Sequence, residues 1–166
     1  MIHIDWWSLL GVLANLGSSW VLVIGAPVAL TWPMPGGGPH WRQPMDPWRS
    51  FKFEARRQVM ERAGGRCESF SIGSWGRCPN QAMEADHIYP HSKRGATIPN
   101  NGQALCRDHN RAKSAMTPPW WYVRGLEHRR AGYFPPGADV RVSATMSESD
   151  WAARRMAPTS RRAGIR

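Results

Sequence analysis

Lysine is nearly absent from this chain, cysteine is scarce, and the first forty residues carry almost no charge. Each shortage excludes something. The three cysteines, Cys67, Cys78 and Cys106, cannot all pair, so a closed disulfide framework of the secreted kind is excluded. Fourteen prolines and sixteen glycines in 166 residues exclude long helices running through the whole chain. They point instead to a small α+β unit with irregular flanks. Nothing marks a site for an organic small-molecule cofactor, there is no internal repeat, and nothing specifies an oligomeric state.

Charge is short on the acidic side and uneven along the chain. Before Trp41 the only acidic or basic side chain is Asp5, so residues 41–166 hold all 22 Lys and Arg against 11 of the 12 carboxylates, a net +11. A body this basic favours a polyanion, either nucleic acid or an anionic membrane surface. Nineteen of the cations are arginine. The planar guanidinium suits phosphate, although a GC-rich genome produces the same bias.

Residues 6–32 form an uncharged apolar run of 27 residues with Trp6, Trp7 and Trp32 at its ends. About 20 apolar helical residues cross a bilayer, and tryptophan favours the interface. The expectation is a transmembrane helix over 1–32 that anchors a single-pass protein to the membrane. The arginine-rich remainder is then expected in the cytoplasm. Three other readings stay open: a signal peptide, although MIHID lacks the basic n-region; a buried core helix; and a true start at Met34 or Met45. Without insertion the protein is expected to be cytoplasmic.

Residues 33–50 contain five prolines and three consecutive glycines, which predicts a semi-rigid linker. A helix is predicted from about Phe51, with Phe53, Val59 and Met60 on one face and Gly64-Gly65 as its stop. A strand is expected around 82–88, and a second helix from about Arg107 past Lys113, ending before Pro118-Pro119. These elements assign a domain to 51–117 and a C-terminal extension with a short helix to 118–153. The tail 154–166, with five arginines and no acid, is expected to be disordered and to meet phosphates or lipid headgroups.

Four residues have the character of a structural zinc set: Cys67, Cys78, and the Cys-x-x-His pair Cys106 and His109. The ten residues between the first two are more than usual and must be looped out, with Gly73, Trp75 and Gly76 available for a hairpin. A small domain gains stability from such a metal. Three buried free cysteines are the open alternative.

Between the halves of this set lie Asp86 and His87, then Asn101, Asn110 and Lys113. Phosphodiester hydrolysis needs a base for water and a held cation beside the phosphate. His87 can be the base, Asp86 and Asn110 offer hard oxygen ligands for Mg²⁺ or Mn²⁺, and Lys113, one turn after Asn110, can reach a phosphate. His40, His91 and His128 lack matching partners and read as surface histidines. Trp120, Trp121 and Tyr122 read as packing rather than base-stacking residues.

The runs ADHIYP at 85–90 and NGQALCRDHNRAK at 101–113 resemble the HNH endonucleases of the ββα-metal superfamily, over residues 54–115. The resemblance implies a small ββα-metal core with bound zinc. In it His87 is the general base, Asp86 holds the catalytic metal, and Asn101 fixes the loop and orients His87. The position after the last zinc ligand, Asn110, is the second metal ligand. His109 stands where cysteine is usual and Asn110 where histidine is usual, an H-N-N variant. The other register, with His109 as catalytic ligand and zinc on three cysteines, remains open.

The function these readings imply is a metal-dependent endonuclease acting on DNA, double-stranded by expectation, with low sequence specificity. Its cofactors would be Mg²⁺ or Mn²⁺ for catalysis and Zn²⁺ for structure. The rival readings are a zinc-stabilised nucleic-acid-binding module without catalysis and a protein whose arginines bind lipid.

Overall fold

A computed structural model describes residues 38–156 except 40–41 and 72–75. Helix α1 spans Phe53–Arg62, and the short strands β1 (Phe70–Ser71) and β2 (Gly76–Arg77) follow it. Strands β3 (Glu84–His87) and β4 (Gly102–Leu105) lead into α2 (Arg107–Lys113), then α3 (Trp120–Arg130) and α4 (Glu148–Met156). Two separate antiparallel ladders result. In the first, Phe70 faces Arg77; in the second, Glu84 faces Leu105 and His87 faces Gly102. The fold is α+β.

Helix α1 is laced on its solvent side by Arg57, which donates to Glu54 and Glu61 at i−3 and i+4. It stops at Gly64 and Gly65, whose φ of 59° and 66° close the turn by bonds back to Glu61 O and Met60 O. Its buried residue is Val59, packed with Phe51, Ala63, Ala82 and Ala104. Phe53, expected on this face, is instead 90% exposed. It opens the helix at φ 43°, which turns its ring outward, and Phe51 just before the helix supplies the apolar contact. At Gly102 a Cβ would meet Val59 Cγ2 at 2.2 Å, so glycine lets β4 lie directly on α1.

All four residues of β4 are buried. Beyond it a second apolar cluster joins Ile88 and Tyr89 to Val123 and Leu126 of α3 and to Val142 and Ala144. The 118–153 extension therefore shares a core with the end of β3. A buried ion pair strengthens that union. Arg130 of α3 donates to Glu68 at 2.9 Å and to Gly102 O at 2.7 Å, while Glu68 also accepts from Ala104 N and Tyr133 Oη. Both charged side chains are 1% exposed. Removing one partner of such a pair strands a buried charge, so Arg130→Ala should cost about 3–5 kcal/mol in urea unfolding. A loss under about 1 kcal/mol, the surface-pair value, would show that the pair is solvated in solution.

The described parts of both flanks, residues 42–50 and 154–156, are ordered against the body or within a helix. Residues 42–50 lie against the body, with Asp46 buried and Gln43 Nε2 donating to Arg94 O at 2.6 Å and Ala144 O at 3.1 Å. Helix α4 continues through Arg154 and Arg155 to Met156, and Arg154 pairs with Asp46 at 3.0 Å. A carboxylate and a guanidinium that satisfy each other hold both flanks down, a long-range pairing that composition does not reveal.

The expected single-pass membrane localisation is corrected. No helix among the described residues is long and apolar enough to cross a membrane. The run 6–32 on which that expectation rested lies outside the described residues, as do His40, Gly73, Trp75 and residues 157–166.

Candidate active site and metal cluster

The thiols gather because three separate turns deliver them to one point. Cys67 follows the glycine stop of α1 and its N–H bonds to Asn80 O at 2.9 Å. Cys78 follows β2, with its N–H on Ser69 O at 2.8 Å, so the β1–β2 ladder takes up the ten-residue gap. Cys106 is the N-cap of α2 and places His109 one turn later. His109 Nδ1 then lies 3.2 Å from Cys106 Sγ and 3.6 Å from Cys67 Sγ.

The ligand atoms of Cys67, Cys78, Cys106 and His109 all fall within 4.8 Å of one another. Tetrahedral zinc at about 2.3 Å from each sulfur would hold sulfurs roughly 3.8 Å apart, so this group could hold one ion with little adjustment. The three cysteines are buried and the set is complete at four, which is the character of a structural site. Burial pushes the Cys67 thiol up to about 11. At Cys106 burial acts the same way but is outweighed by hydrogen bonds from the His109 backbone and ring and from Cys67, which bring it down to about 7.

A separate cleft of about 490 Å³ is lined among others by Arg49, Asp86, His87, His91 and Lys113. Strand β3 carries Asp86 and His87 opposite Gln103 and Gly102. Lys113, on the last turn of α2, donates to Asp86 Oδ2 at 2.9 Å. Asn110, half-buried, sits one turn earlier on the same helix.

His87 is 6% exposed, its ring 4.6 Å from that of Phe51 and 5.8 Å from that of His91. Burial, more than the neighbouring charges, lowers its pKa to about 4, although Asp86 pulls the other way. At neutral pH the imidazole is uncharged. Its Nε2 lies 2.9 Å from Thr97 Oγ1, and the Thr97 hydroxyl donates to Trp48 O. Since that hydroxyl proton is already used, Thr97 can only accept, and the ring must carry its hydrogen on Nε2. The lone pair is left on Nδ1, 4.0 Å from Asp86 Oδ1.

Asn101 is fully buried. Its Oδ1 accepts from Tyr89 N at 2.9 Å, and its Nδ2 donates to Tyr89 O at 3.0 Å and Ala96 O at 2.8 Å. It ties the exit of β3 to the loop that carries Thr97.

Domain membership follows from the sequence between these elements: the model of the HNH endonuclease family matches residues 65–115. Residues 65–115 form an HNH endonuclease domain. No curated protein and no solved structure matches the chain. The HNH domain connects the chain to nucleic-acid chemistry, and HNH nucleases use divalent metals.

Several residues around His87 and the cleft have no mark in the sequence. Thr97, Trp48, Asp46 and Arg49 belong to no motif, and three of them precede the domain. His91, read as a surface histidine, is half-buried and donates from Nε2 to Asp46 O at 2.8 Å. His128 is exposed. Tyr122 packs through Gln103, whose Nε2 donates to its hydroxyl at 2.7 Å, while Trp121 is 50% exposed.

Proposed function

We propose that this chain is a metal-dependent endonuclease that hydrolyses phosphodiester bonds in double-stranded DNA with little sequence preference. The observation that carries the reading is a buried, neutral His87 whose free Nδ1 lone pair lies beside the Asp86 carboxylate and opens on the cleft. A binding module without catalysis has no use for an imidazole kept unprotonated in this way.

In this reading His87 takes a proton from water at Nδ1, and the Thr97 contact at Nε2 keeps the ring turned to do so. Asp86 and Asn110 would hold the Mg²⁺ or Mn²⁺, which supplies positive charge for the phosphate and for the leaving 3′-oxygen. Lys113, paired with Asp86 in the free protein, is within reach of a bound phosphate, and Arg49 adds a second cation at the rim. Asn101 positions the loop. Products would carry 5′-phosphate and 3′-hydroxyl ends, as in the family the domain belongs to. The basic surface contacts phosphates rather than base edges, which supports low specificity.

The place of His109 Nδ1 among the thiols supports the register in which zinc takes Cys67, Cys78, Cys106 and His109, leaving Asn110 to the catalytic metal. This is the H-N-N form. Supercoiled-plasmid nicking with Mg²⁺ tests both ideas. Asn110→Ala should raise the Mg²⁺ concentration for half-maximal nicking about tenfold or more, equivalent to at least ~1.4 kcal/mol of binding. An unchanged requirement would shift the metal-ligand role away from Asn110, and no metal-dependent nicking by the wild type would remove the nuclease reading.

A further inference from the structure

The groups that set the orientation of His87 come from both ends of the described chain, outside the HNH match. Asp46, on the N-terminal side, is buried with its carboxylate fully occupied. Oδ1 accepts from Trp48 N at 2.9 Å and from Arg154 Nε at 3.0 Å, and Oδ2 accepts from Thr97 N at 2.8 Å and from an Arg154 Nη at 3.3 Å. Arg154, on α4, spends the same guanidinium nitrogen on Thr97 O at 2.9 Å and stacks over the Trp48 ring at 3.6 Å. Thr97 is thus gripped at its N–H by Asp46, at its carbonyl by Arg154 and at its hydroxyl by Trp48 O, and its oxygen meets His87 Nε2.

We propose that Asp46, Trp48 and Arg154 form a clamp that makes the working tautomer of His87 depend on docking of both flanks, with Thr97 as the positioning residue. The inference rests on reading His87 as the base. Its physical content is a chain of single-direction bonds. If Trp48 O moves, the Thr97 hydroxyl is free to turn and donate to Nε2 instead, and the imidazole proton shifts to Nδ1. The atom that should accept a proton from water then already carries one. Trp48 O stays in place because the N–H of the same residue is tied to Asp46, and the buried Asp46 carboxylate is in turn paired with Arg154. The 65–115 unit lacks all three clamp residues.

The test uses the full chain in plasmid nicking together with ¹⁵N NMR of histidine-labelled protein before Mg²⁺ is added. Thr97→Val keeps the shape and removes the oxygen, Thr97→Ser restores it, and Arg154→Met releases the C-terminal arm. Thr97→Val and Arg154→Met should lower kcat about 10–100-fold, the range typical of groups that orient a functional histidine. The Mg²⁺ requirement and KM for DNA should not change, and Thr97→Ser should recover most of the rate. In the NMR spectrum the wild-type His87 should show the Nε2–H tautomer, moving toward Nδ1–H in Thr97→Val and Arg154→Met.

Should Arg154→Met fail to fold, Arg154→Lys is read in the same way, since it keeps a charge at Asp46 but gives up the fork onto Thr97 O. Wild-type rate and tautomer in the Arg154 variant would overturn the clamp. So would a Thr97→Val protein that stays Nε2–H. If the wild type does not cut at all, the nuclease reading fails on its own, and the tautomer measurement still decides whether the clamp exists.

Discussion

His87→Ala should lower Mg²⁺-dependent plasmid nicking by about 10²–10⁴-fold, the usual contribution of a positioned general base. Binding to DNA, read by gel shift, should change little, because the arginines and Lys113 are untouched. Equal cleavage by wild type and variant would remove His87 as the base and leave the HNH domain without its proton acceptor. The pH dependence gives an independent check. With its pKa lowered to about 4 by burial, His87 is unprotonated across the neutral range, so the nicking rate should not titrate near the ordinary histidine value of about 6.5. The rate should fall only as pH approaches 4. A limb centred near 6.5 would mean that the ring is solvated.

The same shift affects stability, with a definite sign. The unfolded chain takes up the His87 proton below about 6.5, while the folded protein refuses it until about 4. Stability is therefore intact above the unfolded value and declines as pH falls through the folded one, by roughly 3 kcal/mol from this group. His87→Ala should flatten that part of the acid-unfolding curve.

The other large effect is expected at the thiol cluster. Purified protein should carry one zinc per chain, and stripping it with a strong chelator should unfold the described body or lower its melting temperature steeply. Cys106→Ser should act in the same direction, since an N-cap ligand is lost along with the bond to His109. The reason is the small amount of core there: Cys67, Cys78, Cys106 and Leu105 are the whole of that buried cluster. Structural zinc contributes on the order of 10 kcal/mol of apparent binding energy in small domains, far more than one leucine can replace. Absence of zinc and an unchanged melting temperature after chelation would reduce the cluster to three buried thiols and a histidine. Re-addition of Mg²⁺ alone separates the two metals, because it should not restore the fold.

What the sequence revealed, it revealed through short spacings. Cys106 and His109 lie one turn apart at a helix start, Asp86 and His87 are neighbours on a strand, and Asn110 and Lys113 share a helix face. In each case local geometry alone brings the side chains close. The glycine stop at Gly64-Gly65 was legible for the same reason, since a left-handed turn selects glycine wherever it occurs. Phe53 was misread because helical periodicity does not show which residue opens the helix, and the opening residue here points its ring to solvent.

The rest needed the tertiary structure. Thr97 and Trp48 are 49 residues apart and Asp46 and Arg154 are 108 apart, and none of the four stands in a recognisable pattern. Glu68 and Arg130, 62 residues apart, are equally silent. Residue types in a sequence state which charges exist, whereas only the folded chain decides which of them lose water and must therefore find a partner. The sequence by itself determined the HNH domain, its four candidate metal-cluster residues and its imidazole, because those depend on contacts within a turn or a strand. The tertiary structure decided that Thr97 meets His87 and that residues of both flanks grip Thr97, because desolvation is a property of the packed interior and not of any local segment.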